Sequence, residues 1–146
     1  MQILIVDDQR SIRAMVRSEL RQLGLDKVTE AEDGNAALAL MARNRFDLVV
    51  TDLNMPGLDG MGLLRAMRKD PRTARIPVVL LTGAAIGGSI AEAAKLGVVD
   101  VIAKPFTMGG FAKRFSLLMA KLAQRKAAAA PSPPPSPAAA PVIEID

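Results

Sequence analysis

Five short apolar runs rich in β-branched residues, each followed by a segment of helical pattern, constrain this chain more than any other feature. The runs fall at residues 3–6, 28–31, 48–51, 77–82 and 98–103. In the first intervening segment Ile12, Met15, Val16, Leu20 and Leu23 recur at helical spacing, and Phe111, Phe115, Leu118 and Leu122 do so in the last. Shorter helical segments are predicted near 35–43, 61–69 and 89–96, with Gly24 and Gly97 as stop signals. Strands alternating with helices imply a parallel sheet covered on both faces, and near-continuous apolar strands agree with that burial. The expected fold is therefore α/β, a doubly wound five-stranded parallel sheet with five helices. Its site should lie at the carboxyl ends of the strands. Architecture alone does not give function.

Composition removes several chemistries. The chain has 146 residues with neither cysteine nor histidine, so thiolate catalysis, zinc–thiolate sites, a histidine base and a self-carried phosphohistidine are excluded. Nineteen basic against 15 acidic residues leave +4, which suits solubility or an acidic partner and is no signature of nucleic-acid binding. With no Tyr or Trp and four Phe, stacking platforms for single strands are scarce, and no nucleic-acid partner is expected. The apolar runs fall short of the roughly 18 residues of a membrane span, and the amino terminus lacks a secretory pattern. A cytoplasmic protein without a membrane partner is the expectation. After Lys126 the sequence becomes almost entirely Ala, Pro and Ser, including Pro131, Pro133, Pro134, Pro135 and Pro137. The expected organisation is a folded domain over 1–126 and a disordered tail over 127–146 with an apolar–acidic tip, Val142-Ile143-Glu144-Ile145-Asp146. That tip reads as an unstructured end or as a short docking peptide.

Residues that follow parallel strands converge on one edge of the sheet. Here those residues are Asp7 and Asp8 after the first run, Asp52 after the third, Thr82 at the end of the fourth and Lys104 after the fifth. Two unit charges ~4 Å apart interact with about 4 kcal/mol at an effective dielectric of ~20. Three carboxylates beside one ammonium are therefore frustrated unless a divalent cation joins them. Oxygen donors alone select Mg²⁺, Mn²⁺ or Ca²⁺ over zinc. Within such a site Asp52 can act as a nucleophile and form an aspartyl phosphate, with Thr82 and Lys104 placed to hold phosphoryl oxygens. Taken singly, Asp8 would more often be a helix N-cap, Thr82 a strand residue and Lys104 a solvated charge.

Asp7-Asp8, Asp52 with Asn54-Met55-Pro56, Thr82, and Lys104-Pro105-Phe106 resemble the receiver domain of two-component response regulators. The pattern is most similar to the single-domain chemotaxis branch, and Glu30-Ala31-Glu32-Asp33-Gly34 adds to it. The likeness covers residues 1 to about 124. It implies a flavodoxin-like strand order, 2-1-3-4-5, of which the chemotaxis regulator is itself a standard example; the resemblance supplies that order, and the periodicity does not. It further implies that Asp52 is the phosphoacceptor for a sensor histidine kinase or a histidine phosphotransfer protein. Asp8, Asp52 and the Asn54 carbonyl would ligate Mg²⁺, or Mn²⁺ in its place, with Asp7 helping through water. Lys104 and Thr82 would contact the phosphoryl group, and a phosphorylation-dependent protein target would read the change. On that reading the chain is a phosphoacceptor and not an enzyme on an external substrate.

The pattern is also broken in places. The family's aromatic switch residue, three before the conserved lysine, is Val101 here, so switching through Thr82, Val101 and Pro105 cannot use an aromatic rotamer. Ala84, two residues beyond Thr82, occupies a position that influences dephosphorylation in the family. Arg10, Arg13, Arg17 and Arg21 share one side of the first helix, as a solvated face or as a docking surface for an acidic kinase. The competing readings are a phosphorylation-independent interaction module and a magnesium-dependent phosphatase. The phosphatase would need a second acid two residues after its nucleophile, where this chain has Asn54. A flavin site is disfavoured because Asp7 and Asp8 would repel its phosphate.

Overall fold

The structure is a computed structural model, and it describes residues 1–83, 87–104 and 108–129. The elements run β1 (Ile3–Val6), α1 (Arg10–Gln22), β2 (Val28–Ala31), α2 (Gly34–Arg43), β3 (Leu48–Asp52), α3 (Gly60–Lys69), β4 (Val78–Thr82), α4 (Gly87–Lys95), β5 (Asp100–Ala103) and α5 (Met108–Ala129). All strand pairs are parallel and the order is β2-β1-β3-β4-β5, the flavodoxin-like arrangement. Every expected strand and helix is present, with shifts of one or two residues at most bounds.

Patterning explains the burial. One apolar cluster takes alternate strand residues, Leu4 and Val6 of β1, Val49 of β3, Val78 and Leu80 of β4. Ala37 and Met41 of α2, Leu63, Leu64 and Met67 of α3, and Ala93 of α4 complete it. The intervening residues Ile3, Ile5, Val50, Val79 and Leu81 are also fully buried, so the strands are covered on both faces. In β1, β3 and β4 polar chemistry is thereby displaced to the strand ends.

Helix ends follow the expected signals. After α1, Gly24 adopts φ +81° and its N–H donates to the Arg21 carbonyl while the Leu25 N–H donates to that of Leu20. Gly97 repeats the device after α4, where its N–H and that of Val98 donate to Ala94 and Ala93. These are Schellman ends, in which the left-handed residue is cheapest as glycine. At the carboxyl end of the chain α5 continues to Ala129, past the expected boundary at Lys126. Alanine is the best helix former, and the first helix-incompatible residue is Pro131. Residues 130–146, the rest of the expected tail with its tip, lie outside the described residues. Two compact units divide the chain after Ala112. In the first Phe111 is buried, and in the second Phe115 and Leu118 are buried.

Charged side chains also serve inside the fold. The Arg68 guanidinium donates to the carbonyls of Leu96, Ala74 and Ile76, tying α3 to the turns that precede β4 and follow α4. Glu19 is the exception. It is 1% exposed on α1, and neither carboxylate oxygen has a hydrogen-bond partner among the described residues. Burying a polar group without a compensating bond costs about 1–3 kcal/mol by mutational measure. Glu19→Leu is therefore expected to raise stability by about that amount. Chemical denaturation checks it, as a higher midpoint at unchanged slope.

Candidate functional site

The register of β1 on β3 sets the site. Val6 pairs with Thr51, so Asp7 and Asp52 emerge side by side where the strand order reverses between β1's two neighbours. On the far side of β3, Thr82 ends β4 opposite Ala103 of β5, and the next residue is Lys104. Its backbone N–H donates to the Thr82 carbonyl at 2.7 Å.

Asp7 is fully buried and Asp52 is 5% exposed. Lys104 Nζ lies 3.0 Å from Asp7 Oδ2 and 3.3 Å from Asp52 Oδ1, so one ammonium bridges both carboxylates. Asp7 Oδ1 also accepts from the Gln9 N–H at 2.9 Å. Asp8 completes an acidic triad with Asp7 and Asp52, whose nearest oxygens all lie within 4.8 Å of one another. Unlike the other two, Asp8 is exposed. The expectation that a lone strand-end aspartate caps the following helix does not hold for it. The N-cap of α1 is Gln9, with no side-chain capping bond, whereas Asp33 and Asp59 cap α2 and α3 by accepting from Ala36 and Gly62. Asp8 has thus no capping duty.

Burial is the main reason the Asp52 carboxyl is held above the ordinary carboxylate range, with the Asp7 charge adding to it. Lys104, by charge and by hydrogen bond, and the Asn54 backbone N–H oppose that rise without cancelling it. The acid is desolvated and crowded by a like charge, conditions that concentrate at functional sites.

The loop over residues 53–59 brings Asn54 next to this acid and then folds back. The Gly60 N–H donates to the Leu53 carbonyl, and a Cβ at Gly60 would collide with the Asp52 carbonyl oxygen. Only glycine allows α3 to start so close to the end of β3. Thr82 is 1% exposed at the end of β4. Val101 lies in β5, half-buried and packed against the apolar cluster, so it acts as a core residue there. Pro105 and Ala84 lie outside the described residues.

The arginine face of α1 divides. Arg10 and Arg21 are exposed, but Arg13 and Arg17 both pair with Glu30 of β2 at 2.9 Å. Arg13 also donates to the Asp7 carbonyl and Arg17 to that of Val28, each at 2.6 Å. Two members of the face therefore fasten α1 to the sheet and do not form an open docking surface. Sequence reasoning missed this because helical spacing shows that the arginines share a side, not which strand they meet.

Residues 3–116 match the family model described as the response regulator receiver domain. The chain belongs to the response regulator receiver domain family of two-component signalling. It is 46% identical over 107 residues to a chemotaxis protein CheY of Pseudomonas aeruginosa, covering 73% of this chain and 86% of that protein. Against a chemotaxis protein CheY-3 of Vibrio cholerae it is 41% identical over 122 residues, 84% of this chain and 94% of that protein. Among solved structures it is similar to the chemotaxis response regulator CheY4 of Vibrio cholerae, with a TM-score of 0.73, 32% identity, and 80% and 97% of the two chains covered. The receiver domain of the sensor histidine kinase PA1611 from Pseudomonas aeruginosa, described with a magnesium ion in its active site cleft, aligns with a TM-score of 0.69. Its identity is 31%, over 82% of this chain and 94% of that one. No helix among the described residues is long and apolar enough to cross a membrane.

The raised position of Asp52 sets a pH dependence. The unfolded carboxyl ionises near 3.8 and the folded one above it, so folding takes up a proton between the two. Asp52's contribution is then favourable at acid pH and is lost as pH rises through the folded value. In metal-free protein, Asp52→Asn is expected to be more stable than wild type at neutral pH. The gap should shrink as pH falls toward 3.8, which thermal unfolding in chelator across pH measures.

Proposed function

We propose that this receiver works as a phosphoacceptor of a two-component relay, with Asp52 taking a phosphoryl group from a phosphohistidine on a sensor kinase or phosphotransfer protein. An Asp52 carboxylate oxygen forms the new bond to phosphorus as the donor's phosphorus–nitrogen bond breaks. The imidazole nitrogen keeps the electron pair. The observation that carries this reading is Asp52 itself, 5% exposed beside Asp7 and touched by a single ammonium that serves both acids. Such an arrangement weakens the metal-free fold and gains a purpose only if more positive charge and a reaction arrive.

The donor set fits a hard cation. It is oxygen only, clustered within 4.8 Å, and open to solvent on the Asp8 side, where Mg²⁺ could retain water. Asp7, Asp8, Asp52 and the Asn54 carbonyl would hold Mg²⁺, or Mn²⁺ in its place. When bound, the ion supplies the charge that lets a carboxylate approach an anionic phosphoryl group. Lys104 then acts as a point charge and Thr82 as a hydroxyl donor to the phosphoryl oxygens. Similarity to CheY proteins supports chemotaxis as the pathway and the cytoplasm as the location. Residues 1–126 would form the receiver and 127–146 an extended tail. Output would pass through a protein contact that reads a two-state change at Thr82, Val101 and Pro105.

Incubation with acetyl phosphate and Mg²⁺ followed by intact mass measurement tests the reading. The expected outcome is a labile gain of one phosphoryl group that disappears in Asp52→Asn and in chelator. Lys104→Met is expected to retain Mg²⁺-dependent phosphorylation at a reduced rate. A protein that takes no phosphoryl group from any donor would instead be an interaction module, a reading for which Val101 leaves room and against which the intact acids, Thr82 and Lys104 argue. Repeated turnover of phosphate esters would mark a phosphatase, against which Asn54 argues.

A further inference from the structure

Glu30 is shared by two arginines that differ in one respect. Arg17 places its other contact on the Val28 carbonyl in β2, while Arg13 places its own on the Asp7 carbonyl, the oxygen of the peptide joining the two adjacent acids. Every polar group of Asp7 is thereby tied. Its N–H donates to the Ala31 carbonyl at 3.1 Å, and its carbonyl accepts from Arg13 at 2.6 Å. One carboxylate oxygen accepts from Gln9 and the other from Lys104. Among the described residues Asp8 has none of these anchors, being exposed and not the cap of α1. Its direction is inherited from the plane of the 7–8 peptide, and Arg13 is the side chain that holds that plane.

We propose that Arg13 is a positioning residue of the acidic site, aiming Asp8 into the triad by fixing the Asp7–Asp8 peptide. This rests on the metal-binding reading above. The guanidinium suits the task because its planar fork serves the Asp7 carbonyl through Nη1 and Glu30 through Nε at once. Glu30 offsets the repulsion that an unpaired cation would exert on a metal ion nearby. Groups that orient metal ligands typically account for 10–100-fold in metal affinity.

Removing one charge alone would alter metal binding through long-range electrostatics. Charge-balanced pairs separate that effect from geometry. Arg13→Met with Glu30→Gln and Arg17→Met with Glu30→Gln each delete one cation and the same anion, and they differ in whether the Asp7 carbonyl keeps its donor. Calorimetry with Mg²⁺ alone, on the full chain, is expected to show the Arg13 pair at least tenfold weaker than the Arg17 pair. The Arg17 pair should stay within about threefold of wild type. Thermal midpoints in chelator should fall by similar amounts in both, so a merely structural role would lower them without separating the affinities. Equal affinities, or a tighter Arg13 pair, overturn the proposal. Should the Arg13 pair fail to fold, Arg13→Lys decides in its place: it keeps the charge but not the fork, and wild-type affinity there overturns the proposal. Failure of the wild-type protein to take up Mg²⁺ overturns the metal reading itself, and this inference with it.

Discussion

The parallel pairing of β1 with β3 is the constraint from which the rest of the site follows. Matching Val6 with Thr51 leaves Asp7 and Asp52 as neighbours just past the last β1–β3 pair, at the point where the chain's strand order turns. Like charges forced together by a backbone register cannot relax by rotating away, because both side chains are buried. Lys104, delivered from the end of β5, sits between them and relieves part of the repulsion. Burial first, and then the repulsion that remains, hold the Asp52 carboxyl above its ordinary range. On the proposed reading, a cation and a reacting group are what would relieve this crowding.

The aspartates of this chain show how position decides the use of one side chain. Asp33 and Asp59 accept from amides in the first turns of α2 and α3, and Asp47 accepts from the Gln2 N–H beside the start of β1. Asp7 and Asp52 share a lysine, and Asp8 stands in solvent beside them. What separates these roles is the backbone around each residue. A helix N-cap is formed only where the next turn presents free amides to the side chain. At α1 that position falls on Gln9, one residue past Asp8.

Ionic groups below the surface are used unevenly. Arg13, Arg17 and Arg68 each bridge a helix to backbone carbonyls elsewhere, so their charges are absorbed by the scaffold. Glu19 has no such compensation among the described residues, and an apolar residue there is expected to pack better. The net charge of the chain is therefore a poor guide to its surface, since part of the basic content is engaged in bonds within the domain.

The class of fold, the succession of strands, the helix stops at Gly24 and Gly97 and the chemistry of the strand ends were legible from residue order. Those features depend on local periodicity and on the rule that parallel strands point their carboxyl ends one way. The close approach of Gly60 to Asp52, the bond from Arg13 to the Asp7 carbonyl and the burial of Glu19 were not. Each depends on which residues from distant segments meet, and helical spacing defines a face without naming what covers it. The same limit holds for Asp8, whose freedom from capping was decided by a shift of a single residue in where α1 begins. Sequence alone determined that three carboxylates, a hydroxyl and an ammonium would share one sheet edge. Tertiary structure decided which acids were buried against each other and which was left to water, because burial and contact distance are set by the register between strands and not by the order along them.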